Sequence, residues 1–235
     1  MNIFDSTIIH FVNKFSHHSV MVDGTISLIC HNHLLKGGVI LAIVWWLWFK
    51  KSEFQPKHHA HIIATFIGCI VGMALARFLA LTLPFRLRPI HEEGLNFTLP
   101  YGLSPDTLDG WSSFPSDHAV LFFGLSAGLF FISRKAGAFA IIYTTLFIAF
   151  PRIYLGLHYP TDIIAGAIVG ITIVVLSNIL LVKSKSLESI TNCSHSNPSF
   201  FYSLFFLFSF QIADMFDSSR ALMGAGVKLF SNILA

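Results

Sequence analysis

Apolar and polar positions fall along this chain in long blocks, not in the short periods of a soluble domain. The first block is amphipathic. Ile3, Phe4, Ile8, Phe11, Val12 and Phe15 recur at helical spacing with Asp5, Asn13 and Lys14 on other sides, which predicts a helix lying in a membrane interface. A second short amphipathic piece, Val20 to Cys30, follows. The first continuous apolar run is Leu34 to Phe49, with Trp45, Trp46 and Trp48 near its end as interfacial anchors. The next, His61 to Pro84, is long enough to cross the hydrocarbon at roughly 1.5 Å per residue. Two further runs, Ala119 to Ile132 and Ala136 to Phe150, are split by Ser133-Arg134-Lys135, and a fifth extends from Ile163 to Val182. The Phe-rich stretch Ser199 to Met215 is short and carries Gln211 and Asp214, so it reads as a short sixth span or as an interfacial helix. The pattern predicts an all-α polytopic membrane bundle with five to six transmembrane helices plus an N-terminal interfacial helix. It divides into an interfacial segment over 1–32, a transmembrane bundle over 33–182 and a C-terminal segment over 183–235.

Composition strengthens the membrane reading. Of the 235 residues, 54% are hydrophobic and 11% charged, against about a quarter charged in a soluble domain; mean hydropathy is +0.69. A net charge of +3 argues against a nucleic-acid partner. The cations serve better as orientation markers. Lys50, Lys51, Lys57, Arg134, Lys135, Lys183 and Lys185 share one side if the spans alternate, which predicts that side to be cytoplasmic. Arg86, Arg88 and Arg152 then lie on the outer side, periplasmic in a Gram-negative cell, in a bacterial cytoplasmic membrane. Cys30, Cys69 and Cys193 have the spacing of neither a disulfide framework nor a zinc site. His17, His18, His31, His33, His58, His59 and His61 are scattered over predicted loops on different sides, so no metal site is expected. Gly68, Gly72, Gly166 and Gly170, at four-residue spacing, suit close helix contact.

The candidate chemistry sits at the outer ends of the spans. Phe114-Pro115-Ser116-Asp117-His118 precedes one apolar run, and Pro151-Arg152 through Asp162 separates the next two. A chain that leaves one membrane face and returns to it brings these clusters together, beside Arg86-Leu87-Arg88-Pro89 at the end of the second span. Arg88 and Arg152 offer planar, permanently charged forks for phosphate oxygens. Ser116 stands at a helix start, where its hydroxyl and the free amides of the next turn form an anion cradle or an ordinary N-cap. Asp162, near Pro160 in the first turn of the fifth span, can turn back to His158. A carboxylate on one ring nitrogen fixes the tautomer and leaves the other lone pair free to attack phosphorus. His118 would take the opposite role, handing a proton to the leaving oxygen. Arg77, inside the second span, is a functional candidate because an intramembrane arginine is costly.

These residues resemble a known family. Pro115-Ser116-x-His118 is similar to the P-S-x-H motif, and Arg152-x5-His158-x3-Asp162 to the R-x5-H-x3-D motif, of the type 2 phosphatidic acid phosphatase superfamily; Arg88-Pro89 resembles the end of its K-x6-R-P motif. The resemblance implies a metal-independent membrane phosphatase without a cofactor. His158 would form a phosphohistidine, Asp162 would orient it, His118 would be the general acid, and Arg88, Ser116 and Arg152 would bind the phosphate. A lipid-linked phosphate monoester or diphosphate is the implied substrate, such as undecaprenyl diphosphate, phosphatidic acid or phosphatidylglycerol phosphate.

Three positions depart from the motifs. Leu81 stands where the family has lysine. Arg77, eleven residues before Arg88, differs from that position by about 40° around a helix and replaces it from one turn deeper, with Arg86 as the competing replacement. Asp117 occupies a usual glycine position, and Pro151 a frequent serine. Two other functions fit the same residues: phosphoryl transfer from a lipid to an acceptor other than water, and transport along a polar path through Arg77, Asp162 and the histidines.

Overall fold

Local chemistry sets most helix starts. Asn2, Ser19, Ser116, Ser133 and Ser184 each accept a backbone N–H of the first turn through the side chain, and Pro56, Pro160 and Pro198 occupy first-turn positions where no N–H is needed. The computed structural model describes residues 2–219, 221–223 and 225, and the regular structure among them is helical. In order these are α1 (Ile3–Asn13), α2 (Val20–His31), a π-helical turn (Leu34–Gly38) running into α3 (Val39–Phe49), α4 (Gln55–Thr82), α5 (Asp117–Leu129), α6 (Arg134–Tyr143), a π-helical stretch (Thr144–Ala149) running into α7 (Phe150–Tyr154), α8 (Pro160–Leu181), α9 (Lys185–Ser196) and α10 (Pro198–Ala213). The π-helical stretch ends just before Pro151, whose ring and missing N–H a regular helix would not accommodate.

Among the described residues three helical segments are long and apolar enough to cross a membrane: α4, the α6–α7 unit over Arg134–Tyr154, and α8. The pair Val20–His31 and Leu34–Phe49 qualifies together but bends by 66°, and Pro198–Ala213 with Asp217–Met223 bends by 93°. The expected boundary at residue 32 therefore falls inside a bent pair. The apolar run predicted from Ala119 to Ile132 is the 13-residue α5, about 20 Å long. Ala119 through Leu129 are all buried, because α5 lies between α4 and α8 as the centre of the bundle. An apolar surface on every side is what such a position requires.

The α5–α8 contact is tight. A Cβ at Gly170 would stand 2.0 Å from the Val120 carbonyl oxygen, and one at Gly166 2.5 Å from the Ser116 carbonyl oxygen. Only hydrogen at these positions lets the two backbones meet, as the four-residue spacing predicts. Gly170→Ala is expected to cost about 1–3 kcal/mol, the usual range for overpacking. A lower melting temperature of the detergent-solubilised protein would show it; an unchanged one would mean that the helices part at no cost.

In the N-terminal helix Asp5 differs from expectation: it is buried together with Ile9 and Val12, whereas Ile3, Phe4, Phe11 and Phe15 are exposed. Asp5 points inward because the bundle supplies partners for it, described below. The tryptophans also differ from expectation: Trp46 is exposed, with Lys50 4.9 Å above its ring, but Trp48 is fully buried, stacked on His59 at 3.8 Å. His59 also bonds the Trp48 carbonyl (2.8 Å) and His61 bonds Asn178 (2.9 Å). With these partners the helix predicted from His61 begins six residues earlier, at Gln55. The Phe-rich C-terminal stretch forms α10, whose Phe201, Phe205 and Ile212 join the main core; the end of the C-terminal segment, residues 226–235, lies outside the described residues.

Candidate active site

The loop between α7 and α8 makes one sharp turn before His158. Gly156 there has φ +68°, and a Cβ would meet the Phe97 ring at 2.6 Å, so the turn requires glycine. Its carbonyl accepts from the Ile90 N–H at 3.0 Å, tying this loop to the Arg86–Pro89 segment.

His158 is 2% exposed. Its Nδ1–H donates to the Ser113 carbonyl at 2.8 Å, which sets the tautomer and leaves Nε2 as the acceptor. Nε2 faces Arg88 Nη1 at 3.4 Å. The Asp162 carboxylate, expected to hold the ring directly, stands 3.7 Å from Nδ1 and works through an intermediary. Ser113 gives its carbonyl to His158 and its hydroxyl to Asp162 Oδ2. Asp162 also accepts the Tyr159 N–H at 2.8 Å and Arg86 Nη1 at 2.5 Å.

Burial pushes His158 below the ordinary imidazole value of 6.5; the Arg88 and Arg152 guanidiniums act the same way and Asp162 opposes them. Burial lowers Arg88 to about 10, which leaves it charged at neutral pH. Arg88 is held by carbonyls, donating to those of Leu157 at 2.5 Å and of Trp111 and Ser112 at 3.2 Å.

His118, on the first turn of α5, has both ring nitrogens engaged. Nδ1 pairs with Asp117 Oδ1 at 2.8 Å and Nε2 meets Arg152 Nη2. Asp117, at the usual glycine position, therefore turns toward the histidine. His118, His158, Arg88 and Arg152 line one cavity of about 610 Å³. A second cavity of about 280 Å³ shares Arg88, Trp111, Asp117 and His158 with the first and is walled on the other side by Ile70, Met73 and Ala74 of α4.

Arg77 lines this second cavity, with its guanidinium 4.3 Å over the Trp111 ring. Arg86 is committed elsewhere: it bridges Asp162 and, at 2.7 Å, Asp5, and lies over the Tyr159 ring. Of the two candidates for the lysine's place, the geometry favours Arg77. Ser116 is fully buried, its hydroxyl accepts the Ala119 N–H at 3.4 Å, and it lines neither cavity; it acts here as the N-cap of α5.

Sequence reasoning missed several neighbours. Ser113 and Trp111 had only their closeness to the Phe114–His118 cluster as a signal. Met215 and Phe216 reach the second cavity and Asp217 the first, from a C-terminal segment that carries none of the motifs. His33, Asp214 and Asp217 have donor atoms within 4.8 Å of one another, with His33 and Asp217 exposed at the rim of the larger cavity.

The family model for the PAP2 superfamily matches residues 61–186, more than half of the chain. The chain belongs to the PAP2 superfamily. Among similar proteins, undecaprenyl-diphosphatase BcrC of Bacillus subtilis is 26% identical over 162 residues, 69% of this chain and 76% of that one. Lipid A 4'-phosphatase of Bacteroides thetaiotaomicron is 41% identical over 86 residues, 36% and 38% of the two chains. The crystal structure of LpxE from Aquifex aeolicus aligns with a TM-score of 0.50 at 24% identity, covering 75% of this chain and 98% of that one, which shows a shared fold. This PAP2 member is a membrane phosphatase.

Proposed function

We propose that the protein hydrolyses a lipid-linked phosphate monoester or diphosphate through a phosphohistidine on His158. The observation that carries this reading is the pairing of a locked Nδ1–H with an unprotonated Nε2 facing Arg88, in a cavity that also holds Arg152 and His118. Nε2 attacks phosphorus and the bond from phosphorus to the leaving oxygen breaks; His118 supplies that oxygen with a proton. Incoming phosphate takes over the Arg152 donors that meet Nε2 of His118, which lets that nitrogen carry the proton. Water then attacks the phosphohistidine, the bond from phosphorus to Nε2 breaks, His118 takes a proton from that water, and inorganic phosphate leaves. Arg88 and Arg152 hold the phosphoryl oxygens as charge grows on them. Asp162 positions His158 through Ser113, and Arg77 faces the substrate on the α4 side.

The apolar wall of the second cavity suits a lipid chain. Two relatives whose names carry undecaprenyl-diphosphatase favour undecaprenyl diphosphate over phosphatidic acid or phosphatidylglycerol phosphate. The basic helix ends opposite the site favour an active face on the outer side of a bacterial cytoplasmic membrane.

The test is phosphate release by the solubilised protein from a panel of lipid phosphates and diphosphates in excess EDTA. Release that persists in EDTA supports the mechanism, and the best substrate names the lipid. Release that stops in EDTA, or that needs an added acceptor alcohol, would replace it with a metal-assisted or a transferase mechanism.

The pH dependence follows from His158. Its neutral form attacks, and burial holds its value below 6.5, so the attacking form is lost only as pH drops through the lowered value. The kcat/KM profile is expected to show an acid limb below 6.5, while the alkaline limb from His118, which burial and the Arg152 guanidinium hold well below 6.5 until phosphate engages that arginine, is read from kcat. In His118→Asn the acid limb should survive and the alkaline limb disappear; loss of the acid limb instead would reverse the two roles.

A further inference from the structure

We infer that Lys36 is a third cation for the phosphoryl group, delivered from the π-helical turn ahead of α3; this rests on the phosphatase reading above. Lys36 is 4% exposed, and the surface it retains lines the same cavity as Arg88, Arg152, His118 and His158. Among the described residues no ion pair within 4.0 Å and no side-chain hydrogen bond holds its ammonium. The charges acting on it include the Arg152 guanidinium and the Asp217 and Asp117 carboxylates, so it stands within the electrostatic reach of the catalytic groups. A buried lysine next to an arginine, without a carboxylate in contact, is poorly stabilised until an anion arrives. A phosphoryl group provides that anion.

The backbone supports this placement. The turn over Leu34–Gly38 is π-helical, an irregularity that redirects side chains and recurs at functional sites. The cation also answers a gap in the site. Leu81, where the motif has lysine, is 72% exposed, so that position faces away from the cavity. Arg77 enters on the far side, in the cavity walled by α4. The two cations thus flank the Arg88–His158 line, with Lys36 on the side that His118 and Arg152 share. A compact ammonium there binds a non-bridging oxygen as a point charge, complementing the forked arginines.

The experiment compares wild type, Lys36→Met and Lys36→Arg for hydrolysis of the best lipid phosphate and for inhibition by inorganic phosphate and orthovanadate. Lys36→Met is expected to lower kcat/KM about 10²-fold and to weaken both inhibitors at least several-fold, and Lys36→Arg should recover most of the loss. Unchanged inhibition constants in Lys36→Met would overturn the proposal, whether the rate falls or not. A separate measurement covers the case in which that variant does not fold. In wild type, an amine-reactive acylating reagent with mass-spectrometric mapping should modify Lys36 slowly and be blocked by saturating phosphate. Labelling that phosphate does not alter would equally overturn it. Wild type inactive on every lipid phosphate would instead sink the phosphatase reading itself.

Discussion

His158→Ala is expected to lower phosphate release by at least about 10⁴-fold while the helical bundle persists, since removing the nucleophile of a covalent mechanism leaves only binding and electrostatic assistance. The substitution is not structurally silent. His158 is 2% exposed and its Nδ1–H satisfies the Ser113 carbonyl, so alanine orphans a buried acceptor at about 1–3 kcal/mol. His158→Asn separates the effects, because its amide can still donate toward Ser113 but offers no nitrogen lone pair to attack phosphorus. Both variants should fail to accumulate acid-labile labelled phosphoprotein when quenched during turnover, and the asparagine variant should melt closer to wild type. A variant that keeps more than about 1% of the rate, against the loss of at least about 10⁴-fold expected here, would remove His158 from the nucleophile's role.

Much of this site is legible in the chain because its residues sit at fixed offsets from helix ends. Ser116 and His118 mark the start of α5, and Asp162 the start of α8. Two returning helices put those starts on one face. The glycine spacing in α8 further foretold the close approach to α5. What the pattern did not give are partners joined by tertiary packing. Asp5 reads as the wet side of an interfacial helix, but the fold turns it inward, where it meets Arg86, accepts the Thr161 N–H at 3.0 Å and takes the Thr161 hydroxyl at 2.6 Å. Asp23 likewise accepts from the Tyr154 hydroxyl at 2.5 Å and the Tyr101 N–H at 2.8 Å. Hydrophobic periodicity cannot distinguish a carboxylate that finds a buried arginine from one left in water. Lys36 escapes for a related reason, since one cation near the start of an apolar run reads as an interfacial anchor.

The same network makes Asp162→Ala the second substitution with a large expected effect, on stability and rate together. Asp162 is fully buried and accepts from Arg86, the Ser113 hydroxyl and the Tyr159 N–H. Alanine leaves all three donors without that acceptor. Breaking a buried pair from one side costs about 3–5 kcal/mol, and the low end applies because the Arg86 side chain is 27% exposed and keeps Asp5. The rate should fall at least about 10²-fold, a loss typical of misplacing a reacting group by about 1 Å, because the freed Ser113 no longer holds the His158 ring. The pH profile identifies this as positioning and electrostatics at His158 beyond a general loss of fold. Asp162 raises the proton affinity of His158 against the lowering by burial and the arginines. Its removal should therefore move the acid limb of kcat/KM further to the acid side, whereas Gly170→Ala, which loosens the helix contact without touching the charge, should leave that limb in place. An Asp162→Ala protein with the wild-type acid limb would show that the carboxylate holds Arg86 and the N-terminal helix but does not act on the nucleophile.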